Sequence, residues 1–140
     1  MRSLLKFGFM LVAVLSILSG CAGPSQVRLT GNPDIPGAEG VVTTSTSNDG
    51  NTKLDISVKH LAPPEKVEPG TSVFLVWVRG LEDGAQAASQ GALMVNSNLI
   101  GEMETVTPLR SFELFITPES SHTVTAPTGK ILLSARIEMK

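Results

Sequence analysis

Two observations make this chain an all-β domain. Apolar and polar residues alternate with a period of two in several short runs, and Gly, Pro, Asn and Asp clusters interrupt them at the spacing of tight turns. No segment past the N-terminus sustains apolar residues at helical spacing. About seven strands in roughly 100 residues is the density expected of an immunoglobulin-like β-sandwich, two sheets packed face to face.

The first run, residues 41–47, is rich in Val and Thr, whose branched Cβ favours extended backbone. It stops at Asn48-Asp49-Gly50-Asn51, a cluster able to supply the positive φ of a hairpin. Leu54, Ile56 and Val58 then alternate with Asp55, Ser57 and Lys59, so one face turns to a core and the other to water. Ala62-Pro63-Pro64 breaks the chain, and Pro69-Gly70 turns it. Residues 73–78 (Val-Phe-Leu-Val-Trp-Val) are apolar on both faces and predict a central strand in which Trp77 anchors the core. Residues 80–84 predict a loop. Residues 91–95 and 99–106 predict shorter strands joined around Asn96-Ser97-Asn98. Phe112, Leu114 and Ile116 alternate with Ser111, Glu113 and Phe115; residues 118–129 are polar and turn-rich; Ile131, Leu133, Ala135 and Ile137 form the last run. The one helical alternative, over residues 81–94, is opposed by Gly84, Gly91 and a weak apolar face.

The N-terminus has a different character. Arg2 and Lys6 precede a 12-residue apolar stretch, residues 7–18, and then Ser19-Gly20-Cys21. A bilayer-spanning helix needs about 20 apolar residues, so the stretch reads as a signal peptide over residues 1–20. The small residues before Cys21 resemble a lipobox. That resemblance implies cleavage before Cys21, a diacylglycerol on its thiol and acylation of the new amino group, which anchors the chain to a membrane. The alternative is an ordinary secreted protein with a stray cysteine, but Cys21 is the single cysteine of the 140 residues. Two or three acyl chains make such attachment effectively permanent, at about 0.8 kcal/mol per buried methylene. Ala22 stands where an aspartate resembles an inner-membrane retention signal, which points to the outer membrane and its periplasmic side. Residues 21–38, with three prolines and three glycines after Cys21, predict a lipidated tether in which Val27-Arg28-Leu29 could pair as an edge strand, and residues 39–140 the folded domain.

Once Arg2 and Lys6 are removed, 9 of the 11 Lys and Arg remain against 13 Asp and Glu, a formal charge of −4. No cluster of cations offers phosphate a footprint, which excludes nucleic acid as a partner. With no second cysteine, the domain has no disulfide to brace it and must rest on packing.

The residues also resemble a known family. Leu61-Ala62-Pro63-Pro64, the apolar-Trp-apolar strand around Trp77, the glycine-led Gly91-Ala92-Leu93, residues 112–119 ending in Thr117-Pro118-Glu119, and Pro127-Thr128-Gly129 follow the order seen in the extracytoplasmic C-terminal domain of anti-sigma-K-type factors. The resemblance spans about residues 41–138. Such factors also carry a cytoplasmic helical segment and a transmembrane helix, and this sequence shows neither. What the resemblance implies is an exported sensing or docking module, without sigma-factor binding.

The residues able to carry chemistry form no catalytic pattern. His60 and His122 lack metal-site spacing and read as surface residues. Ser25, Ser89, Ser120 and Ser121 lack a nucleophile elbow. Glu102 and Glu104, two apart, read as a solvated strand face, and the residues 48–51 turn lacks the acidic repeat of a calcium loop. The expectation is a protein that is not an enzyme, with no cofactor and no catalytic or metal site. It would be a membrane-anchored docking or sensor module for an envelope protein, with Trp77 as the contact residue if exposed. The alternative is a periplasmic small-ligand or copper carrier using His60, His122, Met94, Met103 and Met139 as soft ligands.

Overall fold

A computed structural model describes residues 23–140. The signal-peptide and Cys21 expectations lie outside the described residues. Eight strands form: β1 (Ser25–Gly31), β2 (Glu39–Thr46), β3 (Thr52–Lys59), β4 (Val73–Gly80), β5 (Ala88–Val95), β6 (Gly101–Thr107), β7 (Ser111–Glu119) and β8 (Leu133–Glu138). The single helix among the described residues is one turn, α1 (Pro64–Val67), begun by the Pro63-Pro64 break. The runs expected between residues 41 and 137 form strands with small shifts of boundary, and the expected turn clusters join them. Leu99, expected to begin a strand, instead sits in the turn before β6 with φ 60°.

The immunoglobulin-like sandwich expectation is overturned. The strands close into one antiparallel barrel in the order β1-β2-β3-β6-β5-β4-β7-β8, with β8 returning to β1. Closure depends on two strands that serve both walls. Ser25 to Leu29 of β1 pair with β2, while Thr30 and Gly31 pair with Ser134 and Leu133 of β8. Likewise β5 pairs with β4 along residues 88–93 and passes to β6 through Met94 and Val95. Strands that change sheet in this way turn the corners which an open sandwich leaves as edges. A bulge marks the β5 corner: Val76 faces Gly91 and Trp77 faces Ser89, so Gln90 is the extra residue. Gly91 holds φ 117°, a conformation that side chains with a Cβ rarely adopt.

The segment expected as a tether therefore contributes a barrel strand, with Leu29 in the core. Alternation decides which face points inward. Val42, Leu54, Ile56, Val58, Phe74, Val76, Val78, Leu93, Phe112, Leu114, Ile116, Leu133 and Ile137 fill the interior, all at most 2% exposed. Full burial of each large apolar side chain contributes about 1.5–3 kcal/mol against water. Outside, Lys53, Asp55, Lys59, Glu102, Glu104 and Arg136 are exposed. Apolar inside and charged outside is the reverse of a membrane-spanning barrel, and this wall faces water.

Trp77 is fully buried, as expected of an anchor, but not in the main core. It belongs with Leu75 and Phe115 to a second cluster on the outer face of β4 and β7. The strand is apolar on both faces because barrel core covers one and loops cover the other.

Candidate functional site

Antiparallel pairing of β4 with β7 builds a ladder of side chains on the outer wall: Val73 opposite Glu119, Leu75 opposite Thr117, Trp77 opposite Phe115, Arg79 opposite Glu113. Two loops reach over it from opposite ends, because β4 leaves the sheet where β7 enters. Residues 81–87 follow β4 and place Ala87 against the cluster; residues 120–132 follow β7 and place Val124 there.

A hydrogen-bond chain fastens the second loop. The Trp77 indole Nε1–H donates to Thr117 Oγ1 at 2.9 Å, and the Thr117 hydroxyl donates to Glu119 Oε1 at 2.6 Å. Oε1 also accepts from the backbone N–H groups of Thr128 (2.9 Å) and Gly129 (3.1 Å), and Oε2 accepts from the Thr128 hydroxyl. Glu119 is only 1% exposed and carries the ionised carboxylate into that burial. Burial by itself would raise its pKa, but the donors from Thr117, Thr128 and the two backbone amides outweigh it and hold the group below its ordinary value. Gly129 is required where it stands, since a Cβ there would lie 2.0 Å from the carbonyl oxygen of Pro118.

Between the two loops lies a recess of about 420 Å³ lined by Arg79, Gln86, Ala87, Phe115, Thr125, Ala126, Pro127, Gly129 and Ile131. The Arg79 guanidinium carbon stands 5.2 Å from the centre of the Phe115 ring, and its Nη2 donates to Glu113 Oε2 at 2.7 Å. Phe115 is thereby capped by a cation whose fork is half engaged. Ile131, 41% exposed, forms an apolar lip. The arrangement offers a stiff floor, an apolar edge and a positive charge. Its carboxylate is occupied in holding the wall, with no nucleophile and base set against each other.

A larger groove of about 540 Å³ crosses the outer face of β1, β2, β3 and β6, where Arg28, Lys59, Asp55 and Glu102 mix both signs of charge on a polar sheet surface. Glu102 and Glu104 are exposed there, and Lys53 approaches Glu104 at 4.0 Å.

The structure does not gather the ligands of a copper carrier. His60 and His122 are exposed, in different loops, and Met94 is 70% exposed on β5. Met103 and Met139 instead pack against the interior cluster. Among the described residues no three His, Cys, Asp or Glu side chains gather into a group able to hold a metal ion. Trp77, the contact residue if exposed, is not exposed.

The network was not foreseen, because residues 118–129 read as polar loop. Its signal lay in the spaced pieces that carried the family resemblance. Trp77, Thr117, Glu119, Thr128 and Gly129 are one hydrogen-bonded constellation, and Gly91, opposite Val76, flanks the bulge beside Trp77. No protein-family model matches the chain, and no curated protein matches it.

Proposed function

We propose that this chain is an exported lipoprotein, lipidated at Cys21 and held in the cell envelope, that presents a non-catalytic β-barrel as a docking or sensor module for an envelope protein. The observation that carries the docking reading is the recess over Phe115. It is preformed, walled by loops that Glu119 and the Trp77 cluster hold in place, and edged by exposed Ile131. A preformed concave surface loses little entropy on binding, and the exposed Ile131 lip beside the Arg79 guanidinium favours a partner side chain that is apolar with a polar or anionic end. Anchoring is supported by the basic, apolar and small-residue succession that ends at Cys21, and Ala22 favours the outer membrane.

A photo-crosslinking residue in place of Gln86, in cells, tests the docking reading. The expected result is one adduct with one envelope protein, lost on adding Ile131→Asp. Equal capture by the same probe at Asn48, in a distant hairpin, would refute it. For the anchor, Cys21→Ser is expected to abolish acylation and to leave an unprocessed precursor or a released form. Continued membrane partitioning after signal removal would place the anchor elsewhere.

A further inference from the structure

β1 begins four residues after Cys21. Resting on the Cys21 anchor just proposed, we infer that the barrel stands on the bilayer by its Ser25 end. The residue 48–51 hairpin, the 108–110 turn and the 138–140 segment would then face the lipid headgroups, and the 81–87 loop leaves β4 at the same end before folding back over the outer wall. The lipid surface is the partner of that end, and the opposite end points away.

Chain length sets which end is held. Only Ala22, Gly23 and Pro24 separate Cys21 from Ser25, the first residue of β1. Four extended steps reach at most about 14 Å. The strands are 6–9 residues long, so the barrel is on the order of 25 Å from end to end. The leash is shorter than the body it holds, and the two ends cannot exchange places. Register then identifies what lies beside Ser25. It pairs with Thr44, two residues before β2 ends; Thr46 pairs with Thr52 across the hairpin; Thr52 pairs with Thr107; and Ser111 pairs with Glu138. The far end carries α1, the Asn96–Ile100 turn with exposed Leu99, and Ile131.

The barrel seam points to the same end. β1 and β8 pair only through Thr30–Ser134 and Gly31–Leu133, at the far end. Toward Ser25 they part, leaving a recess of about 350 Å³ with Val27, Ile137 and Met139 in its walls. The wall therefore opens at the end where the anchor enters, with Ser25, Thr44, Glu138 and Lys140 lining the gap beside those apolar side chains.

The test uses full-length protein purified from membranes and reconstituted into phosphatidylcholine vesicles that carry a quencher on the headgroup. Because Cys21 is acylated and the chain has no other cysteine, Asn48→Cys and Asn98→Cys each supply one labelling site. Both asparagines are exposed, one at each end. The label at position 48 is expected to be quenched several-fold more than that at 98. Twelve flexible residues inserted between Pro24 and Ser25 are expected to remove the difference, since about 15 such residues span roughly 20 Å. Equal quenching or stronger quenching at 98 overturns the inference while the anchor stands; a contrast that survives the insertion supports it and shows that the Ser25 end holds to lipid by its own contacts. A mature N-terminal peptide with no added diacylglycerol mass overturns the anchor itself, and the inference with it.

Discussion

Glu119 is the residue on which the recess depends, and its replacement has a calculable cost. The carboxylate accepts four hydrogen bonds: the hydroxyls of Thr117 and Thr128 and the backbone amides of Thr128 and Gly129. A hydrogen bond to a charged group contributes about 1.5–3 kcal/mol net when buried. In Glu119→Ala the donors of residues 128 and 129 lie near the surface and can turn to water, which offsets part of the loss. The Thr117 hydroxyl and the indole above it remain buried. About 3 kcal/mol is therefore expected, against about 1 kcal/mol for Glu119→Gln, whose oxygen keeps the Oε1 contacts without the charge. Urea denaturation followed by Trp77 fluorescence separates the two. For a slope of about 1.5–2 kcal/mol/M, alanine lowers the midpoint by about 1.5–2 M and glutamine by about 0.5 M. Iodide should quench native Trp77 in the alanine variant and scarcely in wild type or glutamine. Equal costs for both variants, or an alanine cost below about 1 kcal/mol with Trp77 still shielded, would show that residues 120–132 hold themselves in place without the carboxylate.

Three further outcomes follow from the same geometry. Trp77→Ala empties the centre of the outer cluster and should cost roughly 3–5 kcal/mol, enough with no disulfide to leave much of the protein unfolded or aggregated; wild-type emission should be blue-shifted. Gly91→Ala places a Cβ 3.2 Å from Met103 Cε at φ 117°, and should cost about 1–3 kcal/mol by thermal or urea unfolding; no loss would remove the bulge as a condition of closure. Because Glu119 has its pKa lowered on folding, its contribution is fully present above its ordinary value of 4.5 and is lost as pH falls through the lower folded value. Acid titration of stability should thus be steeper in wild type than in Glu119→Gln, and superimposable curves would contradict the assignment.

Sequence and structure divide this protein along a physical line. The strands were legible because alternation is local: Leu54, Ile56 and Val58 need only know which face is wet, and Asn48 to Asn51 need only their own φ. The same alternation serves a sandwich and a barrel, so it could not decide between them. Closure was decided by β1 and β5, each changing partner part-way along its length, and the pairings this needs lie far apart in the chain: Gly31 meets Leu133 and Leu93 meets Phe74 before Met94 and Val95 pass to β6. The burial of Trp77 followed from its apolar neighbours, but its place outside the barrel followed from loops 81–87 and 120–132 folding over it. Glu119 reads as a solvated acid in one dimension. Only the return of Thr128 and Gly129, nine and ten residues later, supplies the donors that let a carboxylate be buried, and no local pattern encodes that return.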